Sequence, residues 1–567
     1  MTTSPPGHLA RLRPKLVESL RTYRRKDLAG DVSAGITVGL VALPLAMAFG
    51  IASGVTPQAG LYTAIVGGFL AALLGGSRLQ VSGPTGAFVV IVAGIVHVHG
   101  LSGLLMVTMM AGVLLLVLGL TGLGTAVKYI PRPVVLGFTN GIALLIASTQ
   151  IKDFLGLEMA HSPSEFFERL RAIAGAIDTI NPAAVGLGVT ALAIILLLPR
   201  WLPRVPGSIV ALAAGTIAVV ALRLPVATIG STFGGIPSGL PSVSIPAFRA
   251  DLILPLLQPA FTVAVLAALE SLLSAVVADS MTGDRHNSSA ELVAQGVANV
   301  VVPMVGGIPV TGAIARTATN IKAGARTPVA ALVHAATLLL VVLALAPLAS
   351  GIPLAVLAAV LFVVAWNMGE WREIPGILRL EAADIVVWLI TFALTVMADL
   401  TIAVEAGLAL AALLYIYRVT ETTSVSVATP EYIAAGEVHS LQGKDVPSNV
   451  TILRIHGPFL FGTTDKLSDA AASIASFQPI VILRLRNMTA IDATGLHALE
   501  RFSEQLRASG RTLVVCGARH QPATFLRRAE FVDAVGEENI VPHVAAALER
   551  ARAIAPAPHA PDVPVTR

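Results

Sequence analysis

From Val32 to Ser77 the chain carries no Asp, Glu, Lys or Arg. So long an apolar run must satisfy its own backbone N–H and C=O groups, and in hydrocarbon helices do this segment by segment. At about 20 residues per crossing the run is read as two membrane spans. The rest of the sequence agrees: of 567 residues 55% are apolar and 13% charged, about half the charge of a soluble domain. The single cysteine, Cys516, excludes an internal disulfide framework. His97, His99 and His334 are isolated, without metal-ligand spacing, and read as structural.

Charges and breakers divide the apolar part into roughly fourteen segments, near 31–52, 58–76, 84–99, 102–122, 130–150, 181–199, 206–222, 252–278, 290–304, 311–323, 328–347, 352–368, 382–398 and 400–418. Ahead of them lies a basic arm, with Arg11, Arg13, Lys15, Arg21, Arg24, Arg25 and Lys26 against Glu18 alone. Because the arm abuts a span, it reads as positive-inside retention, not as a nucleic-acid arm or a cleavable signal. With the N-terminus in the cytoplasm, Arg78, Lys128, Arg132, Arg200, Arg204, Arg285, Lys322, Arg326, Arg372, Arg379 and Arg418 all fall at cytoplasmic ends. An even number of crossings returns the C-terminus to the cytoplasm as well. The expectation is a multi-pass protein of a bacterial-type plasma (inner) membrane: an N-terminal arm over 1–30, a membrane domain over 31–420, a soluble domain over 421–554 and a disordered tail over 555–567.

Two connections are long. Residues 152–180 carry Phe166, Phe167, Leu170 and Ile173 at helical spacing, which predicts a surface helix. Residues 224–250 are rich in Gly, Pro and Ser and read as irregular loop. Beyond Arg418, strand-like runs at Val450–Ile455, Pro479–Leu485 and Thr512–Cys516 alternate with helical patterns at Thr464–Ala475, Ala493–Ser509 and Val541–Ala551. Such alternation predicts an α/β domain with a largely parallel sheet.

Two stretches break the apolar pattern in the same way. Gly306-Gly307-Ile308-Pro309-Val310-Thr311-Gly312-Ala313-Ile314-Ala315-Arg316 and Val81-Ser82-Gly83-Pro84-Thr85-Gly86-Ala87-Phe88 both put Gly and Pro at membrane depth. Irregular backbone is tolerated there only where it is buried in protein or lines a polar cavity. The Thr-Gly-Ala triplets begin at 85 and 311, 226 residues apart (311 − 85), in the third and tenth segments, a separation that spans seven segments. An odd number inverts one half relative to the other. Inverted repeats with a broken helix in each half aim two helix N-termini at one spot, where their dipoles favour an anion. Arg316, about one turn into the second half-helix, adds a permanent charge; anion contact is the leading reading and an ion pair with Glu270 the alternative.

Glu270 is the carboxylate within the eighth segment, with no other charge from 252 to 269. A buried carboxylate needs a partner, a proton or a cation, so Glu270 reads as a proton or cation coupling site or as a structural partner. Ser274, one turn on, shares its face. Asp279 and Asp284 read as gating or capping residues, and Asp399 as a helix end.

These residues resemble the sulfate permease family of anion transporters, whose animal members form solute carrier family 26. The resemblance is carried by Ala42-Leu43-Pro44-Leu45-Ala46-Met47-Ala48-Phe49-Gly50, Gly60-Leu61-Tyr62, Ser82-Gly83-Pro84-Thr85, Glu270-Ser271-Leu272-Leu273, Ala278-Asp279 and the Gly306–Arg316 stretch running on to Pro328. His456-Gly457-Pro458-Phe459-Leu460-Phe461-Gly462 and Ile491-Asp492-Ala493-Thr494-Gly495-Leu496 are similar to a STAS domain. The resemblance implies a seven-plus-seven inverted repeat, with a core of segments 1–4 and 8–11 and a gate of the others. It implies an anion held between half-helices three and ten, elevator-like motion of core against gate, homodimers and a cytoplasmic STAS domain open to a partner. Carried over by position, Leu43, Met47, Thr85, Gly86, Ala87, Phe88, Ala313, Ile314, Ala315 and Arg316 would line the anion site. Glu270 and Ser274 would take a coupling ion. Sodium-coupled members commonly have Asp where this chain has Glu270, which leaves sodium and proton both open. Thr494 matches a phosphorylated serine of antagonist relatives, although helix capping by its neighbour Asp492 is the simpler use of that turn.

The function expected is secondary transport of a small oxyanion, sulfate first, with bicarbonate and C4-dicarboxylates as competitors. A nucleobase carrier fits Arg316 poorly. A membrane-anchored signalling protein would need neither broken helices nor Glu270. No nucleophile–base pair or phosphate loop points to an enzyme, and no cofactor beyond a coupling proton or sodium is expected.

Overall fold

The computed structural model describes residues 12–122, 131–159, 163, 165–202, 205–235, 243–246, 249–398, 400–427, 445–529 and 531–554. Arg11, Lys128, Arg204, Asp399 and the tail over 555–567 lie outside the described residues. The chain divides into two compact units, at Ala411 and Ala412.

The first unit is helical. Its segments are α1 (Arg25–Ala52), α2 (Pro57–Leu74), α3 and α4 (the two arms of Gly86–Thr121), α5 (Arg132–Leu155), α6 (Pro182–Trp201), α7 (Gly207–Leu222), α8 (Ile253–Thr282), α9 (Ser288–Val301), α10 (Ile314–Lys322), α11 (Val329–Ala349), α12 (Leu354–Met368), α13 (Ala382–Met397) and the part of α14 (Leu400–Thr422) up to Ala411. The arms of Gly86–Thr121 are parted at Gly100, whose φ of 68° and ψ of −175° are not helical. The glycine supplies a backbone turn that a side chain would resist. The order of segments is the one the charge pattern predicts.

Packing sorts these helices into two groups. α1–α4 pack with α8–α11, while α5 packs with α12 and α13, and α6 and α7 with α12. Glycine sets the closest approaches. A Cβ on Gly60 would collide with the Ala46 carbonyl, and one on Gly112 would lie 2.8 Å from the Gly296 carbonyl. Small residues let membrane helices gain contact where lipid offers no hydrophobic driving force.

The surface helix runs over Phe166–Gly175, with Phe167 and Leu170 exposed and Ile173 buried. The long connection after Leu222 is less irregular than its composition suggests: it holds a capped turn of helix, Ile229–Phe233, and a bridge from Thr228 to Pro353.

After two short strands of the first unit, β1 (Ser82–Gly83) and β2 (Thr311–Gly312), the second unit carries a five-stranded sheet in sequence order: β3 (Ser424–Val427), β4 (Val450–Phe459), β5 (Ile480–Ile491), β6 (Thr512–Cys516) and β7 (Ile540–Val541). β3 is antiparallel to β4; the other pairs are parallel. Both faces are covered. Leu453, Ile455, Leu483 and Val515 face one apolar layer with Leu499 and Phe502, whereas Ile452, Ile482 and Val514 face another with Leu548. Burial on both faces explains why β4–β6 read as continuous apolar runs. Val541 lies in β7, and the last helix begins at Val544. The short edge strands and the helix His520–Arg528 escape the sequence pattern because few residues carry them.

Candidate functional site

The two interrupted stretches meet. Ser82–Gly83 (β1) and Thr311–Gly312 (β2) pair as a two-stranded antiparallel sheet, with Ser82 opposite Gly312 and Gly83 opposite Thr311. Ala313 N extends the ladder to the Val81 carbonyl at 2.9 Å. Antiparallel pairing of corresponding segments is what an inverted repeat produces. From this junction α3 starts at Gly86 and α10 at Ile314.

Among the described residues, neither N-cap side chain caps its helix start. The first N–H groups of a helix have no intrahelical partner, and at α10 the N-cap is Ala313, which offers no side-chain acceptor. At α3 the N-cap is Thr85, a good capping type, but its hydroxyl donates instead to Glu270 Oε2 at 2.7 Å. Two open N-termini with their positive dipole ends therefore converge on one region.

Arg316 is 4% exposed. Its Nη2 donates to the Pro84 carbonyl, so the guanidinium reaches from α10 to the backbone just ahead of α3. Gly83 makes room for it: a Cβ there would lie 2.5 Å from Arg316 Nη1. Among the described residues Arg316 and Glu270 form no direct ion pair; they bond Pro84 and Thr85 respectively.

Of the other residues singled out in the sequence, Ala87, Phe88, Ala313 and Met47 are buried, Leu43 is half-buried, and Ile314 and Ala315 are exposed at the first turn of α10. Met47 and Leu43 join Ala87 and Phe88 in one apolar cluster. Gly86 faces the other helix group, where a Cβ would meet Met368 Sδ at 3.1 Å and Ile146 Cδ1 at 3.2 Å. Ser274 does not turn to Glu270; its hydroxyl bonds Thr317 Oγ1 at 3.0 Å, which in turn accepts from Val81 N. Asp279 pairs with His286, and Asp284 with Lys15 and Arg78. Thr494 is exposed in the second unit beside a cavity of about 130 Å³, and Asp492 caps that helix by accepting from Gly495 N at 2.8 Å.

A supporting frame went unread in the sequence. Glu291, Gln295 and Asn299 stand four residues apart on one face of α9. Glu291 accepts from Gly76 N (2.9 Å), Ser77 N (3.0 Å), Gln80 Nε2 (2.8 Å) and Gln295 Nε2 (2.9 Å). Asn299 holds both the N–H and the carbonyl of Val310, and Gln295 donates to Ser82. Ser271 accepts from Gly312 N at 3.0 Å, and Asn320 donates to the Leu79 carbonyl at 2.9 Å. These bonds satisfy the irregular backbone that helix breaking exposes. The four-residue polar spacing in an apolar segment was the available signal.

A cavity of about 600 Å³ opens between the two helix groups at the Ala52 end of α1. Its walls include Val89 and Ile95 of α3, Thr149 of α5, Arg169 of the surface helix and Thr395 of α13. Val89 is one turn from Gly86, so the cavity approaches the helix starts.

Residues 28–391 match the model of the sulfate permease family, and residues 444–547 that of the STAS domain. The chain belongs to the sulfate permease family. This family member is 42% identical to a putative sulfate transporter of Bacillus subtilis, over 92% of its own length and 97% of that protein. It is 34% identical to a bicarbonate transporter of Synechocystis, over 94% and 96%. Murine solute carrier 26 family member A9, an anion transporter solved in the inward-facing state, shares the fold at a TM-score of 0.85 and 17% identity, covering 98% of this chain and 96% of that one. The family is one of anion transporters.

Proposed function

We propose that the chain is a secondary transporter of a small oxyanion, with sulfate as the first substrate. The observation that carries this reading is the convergence of two uncapped helix N-termini on a buried arginine. The anion takes the free N–H groups of Gly86, Ala87, Ile314 and Ala315, with Arg316 supplying a full charge and Thr85, Phe88, Ala313, Leu43 and Met47 completing the walls. Oriented donors in a water-poor site bind an anion more strongly than the same groups would in water.

In this reading α1–α4 and α8–α11 move as a core against the gate, in the manner of an elevator. The apolar contact of Gly86 with Ile146 and Met368 suits sliding, since no hydrogen bond there must break. Glu270 takes the coupling proton or sodium ion. The chain works as a homodimer in a bacterial inner membrane with both termini cytoplasmic, and the domain from 421 to 554 serves regulation, trafficking or stability.

Bicarbonate is the second reading, favoured by the 34% identical Synechocystis relative; C4-dicarboxylates follow. The test is uptake of radiolabelled sulfate, bicarbonate and fumarate into proteoliposomes, with and without sodium, at two pH values. Sulfate uptake driven by a proton or sodium gradient is expected. Uptake of bicarbonate alone selects the second reading, and uptake of none rejects transport of these anions.

A further inference from the structure

Thr85 occupies an unusual position for an N-cap. Its backbone is extended (φ −125°, ψ 161°), the conformation in which a threonine oxygen accepts from the second or third N–H of the helix. It makes no such bond. Its hydroxyl crosses instead to α8 and donates to Glu270 Oε2 at 2.7 Å. The neighbouring Pro84 carbonyl is held by Arg316. One dipeptide, at the opening of α3, is thus gripped by a cation on one side and a carboxylate on the other.

On the reading that the anion binds between the helix starts and that Glu270 takes the coupling cation, we propose that the Thr85 hydroxyl couples the two. With Glu270 a bare carboxylate, the hydroxyl hydrogen is committed to it and is withheld from an anion at the Gly86 and Ala87 N–H groups. A proton or sodium ion on Glu270 cancels the charge that holds that hydrogen. The hydroxyl then turns about its C–O bond and donates to the anion. The Glu270 carboxylate and the anion therefore compete for one donor until the cation is bound, and cation and anion each raise the affinity of the other. Arg316 cannot perform this exchange, because its donors and charge are present in both states. A charge-assisted hydrogen bond gained in one state only corresponds to about tenfold in anion affinity.

The test measures the apparent KM for the anion that the wild type carries in the uptake panel, with the coupling cation saturating and with it withdrawn. Sodium is exchanged for choline in one arm, and pH is changed without sodium in the other, which separates the two cations. The ratio of the two KM values is the coupling factor. Thr85→Val and Thr85→Ala are expected to lower that factor about tenfold, chiefly by weakening uptake in the cation-bound state. Thr85→Ser keeps the hydroxyl and should keep the factor; the alanine variant decides the matter if the valine protein fails to insert. An unchanged factor in the valine or alanine variant overturns the coupling role and leaves the anion site standing. So does an equal rise of KM in both states, which would make Thr85 a plain anion ligand. A wild type that takes up no anion removes the proposed function and the coupling role together.

Discussion

Arg316→Ala acts most directly on the proposed anion site, and its effects on folding and on binding separate. The side chain is 4% exposed and its guanidinium donates to the Pro84 carbonyl. Two changes in folding free energy oppose each other. The alanine leaves a buried carbonyl without its donor, at about 1–3 kcal/mol. It also removes a charge from the membrane interior, which costs several kcal/mol before compensation. The protein is therefore expected to fold, with a melting point within a few degrees of wild type. Anion binding has no such cancellation. At about 4 Å, opposite unit charges attract by about 4 kcal/mol at an effective dielectric near 20, and desolvation leaves roughly 1.5–3 kcal/mol for a charge-assisted bond. The dissociation constant should rise about 10- to 150-fold. Arg316→Lys retains charge without the planar fork and should recover part of the loss. Calorimetric titration of the purified protein reads the affinity, with thermal unfolding measured beside it. An unchanged dissociation constant in folded Arg316→Ala would refute the placing of this charge at the anion.

Gly83→Ala places a Cβ 2.5 Å from Arg316 Nη1, so it should weaken anion binding about tenfold in the wild-type background and not at all beside Arg316→Ala; additive losses would show an independent route. Glu291→Ala strips the common acceptor of Gly76, Ser77, Gln80 and Gln295 and should cost about 3–5 kcal/mol. That loss would appear as a large drop in melting temperature, and a near-wild-type melting point contradicts the role. Burial pushes the Cys516 thiol up to about 11 from its ordinary 9.0. The unfolded chain thus loses its thiol proton first as pH rises, and stability falls between those two values by about 2–3 kcal/mol. Denaturant unfolding of the second unit within the full chain should show that slope, and Cys516→Ala should lack it.

The segment order was legible because lipid permits few solutions: charge-free runs had to be helices, and Gly and Pro had to mark breaks. Even the parting of α3 from α4 at Gly100 lies between two segments read from composition. The alignment of the two Thr-Gly-Ala triplets did not survive. Thr85 and Gly86 are the N-cap and first residue of α3, whereas Thr311 and Gly312 form β2, and α10 starts two residues later than the triplet match requires. Glycine is needed where backbone is pressed, at Gly83 by Arg316 and at Gly312 by Gln80 and Ser271. The positions that correspond in the fold are therefore Ser82–Gly83 and Thr311–Gly312. Side-chain partners across helices were not legible. Ser274 shares a helical face with Glu270 in sequence but turns to Thr317, because partner choice depends on which helix lies opposite. The frame of Glu291, Gln295 and Asn299 was visible as a stripe but was absorbed into an apolar segment.

The central claim is that an anion sits between the starts of α3 and α10. Its most direct test is a structure of the protein with selenate, a heavier analogue of sulfate, located by anomalous scattering. A peak within hydrogen-bond distance of the Ala87 and Ala315 N–H groups and the Arg316 guanidinium is the expected result. A peak elsewhere, such as in the cavity lined by Thr149 and Arg169 with the helix starts empty, would contradict it.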